Sequence, residues 1–244
     1  GVLLYGCGHH QAAWRLEESS VEQIGEVTYY QNLAQIAERG YFDIVFFAAN
    51  QSFQGIDSNS IPAFWYDPLI NLASLAQATE RVGLVTTVSS TFSNPFTAAR
   101  QLLSLDHLSN GRIGYNLVTS MTDLEAQNHS MEKLPPHGKR YEKAEEFAEV
   151  MDKLFLSWDK KDFIHNRTTG QLINAKNIKP FNHKGKYFQV AGPSTTPKSP
   201  QGKPVLMQAG ASEQGVALAA KSAEAVYSVS WNLKQAKNYR KRLD

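Results

Sequence analysis

Chemistry-bearing residues gather where short apolar runs end. In "PVLMQAGASEQG" (204–215) such a run closes in Gly210-Ala211-Ser212, and helix-forming residues begin. Ser212 is placed to cap that helix. Free backbone N–H groups in a first turn, with the helix dipole behind them, suit an anion such as a phosphate; water behind a plain N-cap would satisfy the same donors. "HGKRYEKAEEF" (137–147) groups His137, Arg140 and Tyr141 at the start of a helix. They could clamp the same anion, or Arg140 could pair with Glu145 while Tyr141 packs in the core. Asn116 in "GYNLVTS" puts an amide inside an apolar strand, where it must find a hydrogen bond, either within the barrel interior or from a ligand. Thr119 and Ser120 follow at that strand's end. The adjacent His9 and His10 in "GCGHHQAAWR" (6–15) could do acid–base work or simply lie at the surface. No Asp, Glu, Cys or further His stands at a recognised ligand spacing from them, so no metal site is expected. G-x-S-x-G, P-loop and H-E-x-x-H patterns are absent, which removes support for hydrolase and kinase chemistry.

The elements that must position these residues alternate. Six apolar runs read as strands: "VLLYGCG" (2–8), "FDIVFFAA" (42–49), "VGLVTTVSS" (82–90), "RIGYNLVTS" (112–120), "PVLMQAG" (204–210) and "AEAVYSVS" (223–230). Between them, residues 27–39 carry Leu33, Ile36 and Ala37 at helical spacing, with Gly40 as a stop. Asp67-Pro68 and Asn94-Pro95 are N-cap and first-turn signals for two more helices. Residues 139–158 form the longest helix, with Ala144, Phe147, Met151, Leu154 and Phe155 as its apolar stripe. Strand and helix in succession predict a parallel sheet with right-handed crossovers. Several runs end in small polar residues, including Ser89-Ser90, Thr119-Ser120 and Gly210-Ala211-Ser212. That favours a (β/α)8 barrel, whose strand ends share one mouth, over an open sheet, and no G-x-G-x-x-G follows the first strand. Residues 121–203 break the rhythm with turn signals at Thr169-Gly170 and Lys184-Gly185 and a strand-like "KYFQV". They read as a long insertion after the fourth strand and a lid candidate. Only about six strands are found where a closed barrel needs eight. The expectation is one barrel domain over 1–244, incomplete at both termini.

Composition excludes other classes. The formal net charge is +2, and no basic block interleaves with aromatics, so a nucleic-acid partner is not expected. "KNYRKR" near the C-terminus reads as the solvated face of a helix. The single cysteine, Cys7, rules out an internal disulfide framework and agrees with a reducing, cytoplasmic compartment. No apolar stretch of about 18 residues predicts a membrane span.

Taken in order, "GYFDIVFFAA", "DPLINLASLAQATERVGLVTTVSSTFSNPFTAARQLLSLDHLSNGRIGYNLVTS", "HGKRYEKAEEF" and "HKGKYFQVAGP…SPQGKPVLMQAGASEQG" resemble the bacterial luciferase-like flavin monooxygenases. Within that superfamily they resemble the nitrilotriacetate and dibenzothiophene-sulfone monooxygenase branch. The resemblance runs from "GHHQAAWR" to "AEAVYSVS". It implies a (β/α)8 barrel, reduced FMN supplied by a separate NAD(P)H-dependent flavin reductase, and a homodimer or homotetramer. It implies oxidation of a sulfur, nitrogen or carbon centre in a small organic substrate by O2, through a C4a-peroxyflavin. By position, the flavin contacts it implies fall on Asn50, Ser89, Ser90, Asn116, Thr119, Ser120, His137, Tyr141, Ala211 and Ser212, the last two at the phosphate. His9 or His10 becomes the acid–base candidate. Two departures stand out: Asn50 replaces the family's aspartate, and Trp14-Arg15-Leu16-Glu17 replaces its Trp-Arg-His-Pro. Two other readings remain, a barrel enzyme acting on a phosphorylated metabolite and a truncated, non-catalytic flavin-binding paralogue.

Overall fold

The structure is a computed structural model that describes residues 1–10, 12–53 and 66–244; Gln11, inside the histidine-bearing motif, lies outside them. In chain order, β1 (Val2–Leu3) is followed by α1 (Val27–Arg39), β2 (Ile44–Phe46), α2 (Pro68–Ala78), β3 (Gly83–Ser89), α3 (Pro95–Leu108) and β4 (Ile113–Val118). Next come α4 (Asp123–Asn128), α5 (His137–Phe155) and two antiparallel hairpins, β5 (Phe163–Asn166) with β6 (Gln171–Ile173) and β7 (His183–Lys184) with β8 (Gln189–Val190). The alternation resumes with β9 (Val205–Gln208), α6 (Glu213–Ser222), β10 (Ala225–Val226) and α7 (Leu233–Lys241).

All six apolar runs contribute a strand to one sheet in the order β1-β2-β3-β4-β9-β10, with every neighbouring pair parallel. Among the described residues the sheet does not return on itself, and it forms a parallel half-barrel rather than a closed ring of eight. The period-2 alternation of a strand gives it two faces. On the outer face Val45, Leu84, Ile113, Tyr115, Leu117 and Leu206 pack with helical Leu72, Leu102, Phe147, Met151 and Leu154. On the inner face a smaller cluster forms around Phe46, Val85 and Met207, with Leu3, Ile44, Ala48 and Ala225 against it. Asn116 stands between the outward Tyr115 and Leu117 and so takes the inner face.

Helix starts follow their local signals. Asp67 accepts N–H bonds from Leu69 and Ile70, Asn94 accepts them from Phe96 and Thr97, and proline holds the first helical position in both. The predicted stripe of α1 is rotated. Tyr30, Ala34 and Ala37 are buried, and Ile36 turns outward at 56% exposure. Tyr30 anchors that rotation, donating its hydroxyl to Ile24 O at 2.9 Å. Gly40 does end the helix, but with φ −79°, and Tyr41 takes the left-handed step with φ 58°. All five stripe residues named for α5 are buried. Although α5 lies inside 121–203, it packs on α3 and α6 and belongs to the helical layer. The predicted turns at Thr169-Gly170 and Lys184-Gly185 each lie within one hairpin, joining β5 to β6 and β7 to β8. No residue of α7 is buried. No helix among the described residues is long and apolar enough to cross a membrane.

Candidate functional site

The sheet turns polar at its carboxyl end. There the hydroxyls that follow β3 are tied to the segment that follows β4. Ser89 Oγ and Ser120 Oγ lie 2.8 Å apart, Ser90 Oγ donates to Val118 O at 3.1 Å, and Thr91 Oγ1 donates to Thr119 O at 2.8 Å. All four side chains belong to buried residues, and Ser120 adopts a left-handed φ of 62°. Two cations from α5 finish the wiring. Arg140 donates from Nε to Pro135 O at 3.0 Å and from Nη1 to Thr119 O at 3.1 Å and to Ser120 O. Lys143 donates to Thr91 O at 2.8 Å, and burial pushes its pKa down. Arg140 therefore neither pairs with Glu145 nor stands free as an anion clamp through its Nε and Nη1; Glu145 pairs with Lys221 at 2.7 Å. Thr119 enters this wiring through its carbonyl.

Asn116 is only 3% exposed, and its Oδ1 has no hydrogen-bond partner. Its Nδ2 lies 3.5 Å from Thr87 Oγ1. An acceptor left bare in a buried setting is costly, and groups of this kind need a specific explanation.

The turn after β9 is built by close packing of backbone. Ser212 caps α6 by accepting from Gly215 N–H at 3.1 Å, and its hydroxyl reaches Tyr141 OH at 3.4 Å. The His137 and Tyr141 rings lie 4.8 Å apart, which brings His137, Tyr141 and Ser212 together. Gln208, buried at the strand end, accepts the Gly210 N–H through Oε1. A Cβ added at Gly210 would come within 2.9 Å of Gly215 Cα, so both positions need glycine to let the turn fold back. Tyr239 OH donates to Gly210 O at 2.8 Å, and Ala211 is exposed. The first N–H groups of any helix have no intrahelical partner, and here they open beside Ser212.

The other expected residues stand at the same end of the sheet and are less enclosed. His9 and His10 are exposed just beyond β1. The His9 ring lies 5.1 Å from that of Tyr5, and His10 Nδ1 accepts from Ala12 N–H at 3.1 Å. Neither histidine has a hydrogen bond to Asn116, Ser89 or Ser212. Asn50 is also exposed, its Oδ1 taking the Ser52 N–H and hydroxyl at 3.1 Å each. It does share with Thr87 and Ser89 the lining of a cavity of about 720 Å³ that reaches the first turns of α2 and α3. No cluster of three metal-binding side chains occurs among the described residues. Sequence reasoning passed over Thr87, Gln208 and Gly215. Gln208 carried a signal akin to that of Asn116, an amide belonging to an apolar run, and the five-residue spacing of Gly210 and Gly215 marked the tight turn.

These groups offer helix N–H donors suited to an anion beside Ser212 and a bare acceptor at Asn116 suited to an N–H. Comparison with known proteins adds an independent line. The family model described as luciferase-like monooxygenase matches residues 5–244. The N-acetyl-S-(2-succino)cysteine monooxygenase of Bacillus subtilis (strain 168) is 44% identical over 241 residues, covering 98% of this chain and 54% of that protein. Nitrilotriacetate monooxygenase component A of Aminobacter aminovorans is 36% identical over 250 residues, covering 98% and 55%. The crystal structure of the long-chain alkane monooxygenase LadA superposes with a TM-score of 0.89 at 32% identity, over 99% of this chain and 60% of that one. The chain spans about half the length of the curated relatives it matches.

Proposed function

The chain belongs to the luciferase-like monooxygenase family, and on that premise we propose that it binds reduced FMN and serves the O2-dependent oxidation of a small organic substrate. One observation carries the reading: Ser89, Asn116, Ser120, Tyr141 and Ser212 all stand at the carboxyl end of one parallel sheet, where barrels place their sites. When bound, reduced FMN would supply the two electrons that activate O2, one atom of which goes to the substrate while the other leaves as water.

The chain's own residues hold, orient and shield. The first turn of α6, with Ser212 and Ala211, receives the phosphate, and His137 and Tyr141 flank it. Asn116 offers its bare Oδ1 to a ring N–H. The Ser89–Ser120 pair, the Ser90 hydroxyl and the Thr119 carbonyl form a wall already held by hydrogen bonds, with one proton of the serine pair left to donate. Asn50 sits at the rim, and as a neutral amide it can donate where a carboxylate could only accept. His9 or His10 holds or delivers a proton at the open edge. The hairpins within 121–203 are the candidate cover that excludes water.

A sulfur-centred substrate is the favoured class. The relatives named for an S-substituted cysteine, dibenzothiophene sulfone and dimethyl sulfide are 44%, 36% and 35% identical. A separate NAD(P)H-dependent flavin reductase is the proposed source of reduced FMN, because the nitrilotriacetate relative is named as one component of a system. Anaerobic titration with reduced FMN should show saturable binding, and admitting O2 with a panel of thioethers and sulfones should give one product per O2 consumed. Absence of flavin binding would overturn the reading. In His9→Ala, product per O2 should fall while flavin affinity holds; unchanged coupling would remove His9 from the scheme and leave His10.

A further inference from the structure

Asn116 raises a question that its position alone does not answer: which end of the amide faces the site. Its neighbour settles the matter. Thr87 is the register partner of Asn116 across β3 and β4, so the two share the inner face. The Thr87 hydroxyl has a single proton, and it is given to Phe47 O at 2.9 Å. Toward Asn116, Thr87 Oγ1 can therefore only accept. The amide lies 3.5 Å away, at the outer limit of a hydrogen bond, with Nδ2 toward the hydroxyl. Turning the amide over would set two acceptors face to face and leave its two N–H donors bare. The polarity thus runs one way: Asn116 Nδ2 donates to Thr87, Thr87 donates to Phe47 O, and Asn116 Oδ1 is left as a buried acceptor without a partner.

We infer that Thr87 is a positioning residue which fixes the Asn116 amide, so that the site selects its ligand by an N–H donor. The inference rests on the FMN reading above and deepens it. The isoalloxazine ring carries N3–H in both redox states and N5–H only when reduced. An acceptor locked in place meets either donor, but it offers nothing to a ring that has lost it. Chain connectivity alone could not show this relay, because Phe47, Thr87 and Asn116 come from three successive strand regions.

The test measures dissociation constants of the full chain for oxidised FMN, 3-methyl-FMN and, anaerobically, reduced FMN. Wild type should discriminate by about tenfold, the worth of one well-made buried hydrogen bond. It should favour FMN over 3-methyl-FMN if N3–H is the donor, or reduced over oxidised FMN if N5–H is. Asn116→Leu should abolish that ratio. Thr87→Val leaves the shape but frees the amide to turn, and it should lose most of the ratio; Thr87→Ser should retain it. Persistence of the full ratio in Thr87→Val would overturn the inference, since a methyl group rejected by shape alone would still be rejected. Wild type that binds FMN without either preference would overturn it too while leaving the flavin reading intact. Wild type that binds no flavin would bring down both.

Discussion

Arg112, just before β4, and Arg140, in the first turn of α5, both spend a guanidinium on main-chain carbonyls, at opposite ends of the same strand. Arg112 uses all five of its N–H groups. They reach Ser109 O, Val82 O, Ala76 O, Thr79 O and Thr79 Oγ1 at 2.8–3.0 Å. Arg140 reaches Pro135 O, Thr119 O and Ser120 O, and its Nη2 has no hydrogen bond among the described residues. The same asymmetry holds for their surroundings. Around Arg112, the Glu38 carboxylate accepts the N–H groups of Glu80, Arg81 and Val82, closing the entry to β3. Toward the carboxyl end of the sheet, by contrast, the buried Asn116 Oδ1 has no partner. At the first end the main-chain groups that Arg112 and Glu38 reach are paired, although the buried Asp106 Oδ2 beside Ile113 lacks a partner; at the other, an acceptor and helix N–H groups remain for the ligand proposed above.

Removing Arg112 should have the largest effect, and it should fall on stability alone. Arg112→Met leaves four carbonyls without their donor and should cost about 3 kcal/mol. For a chain of this size that is roughly 6–12 °C in Tm. FMN affinity, measured well below the transition, should match wild type. A variant that melted normally, or bound flavin less well while folded, would erase the division between the two ends. Ser212→Asp should do the reverse. Aspartate is as good an N-cap as serine, so Tm should hold. A second negative charge beside the phosphate should weaken FMN binding about tenfold or more. Riboflavin, which lacks the phosphate, should bind as before. Equal loss for both ligands would place the phosphate elsewhere.

The two ends were also unequally legible in the sequence. All six strands and the caps at Asp67 and Asn94 could be read because each is a local signal, an apolar run or a side chain beside the N–H it accepts. The expected site residues gather toward the carboxyl end of the sheet because parallel strands bring their ends together. Their partners were hidden. Arg140 was expected to meet Glu145 or an anion, and nothing local says that it reaches back about 20 positions to the end of β4. Thr87 looked like one more β-branched strand residue, and its role exists only through its register with Asn116. Ile36 kept helical spacing yet faces solvent, because Tyr30 settles the rotation of α1 through a bond to Ile24.

Smaller changes sharpen the contrast. Arg140→Lys keeps the charge but replaces a planar fork with a single point, which cannot span Pro135 O and Thr119 O together. Loss of one or two such bonds should weaken FMN binding about three- to tenfold, by loosening the wall formed by Ser89 and Ser120. An unchanged affinity would mean that this wall stands without the arginine.

The smallest effect belongs to Glu38, and acid reveals it. Burial pushes its pKa up, but the N–H bonds from Val82, Arg81 and Glu80 outweigh that, and the net pKa lies below the ordinary 4.5. A carboxyl depressed by folding contributes stability that is fully present above its unfolded value and is lost as pH falls through its folded value. In Glu38→Gln the amide still accepts from this loop without the charge, so the loss at neutral pH should be about 1 kcal/mol. The gap between wild type and Glu38→Gln should begin to close as the pH drops below about 4.5 and vanish once it passes the lower, folded value, where both chains present a neutral group to the same three donors. Denaturant unfolding followed from pH 7 down to about pH 2 measures the gap across the whole titration. A gap that persisted in acid would mean that the amide packs poorly at the entry to β3, rather than that the charge holds this end closed.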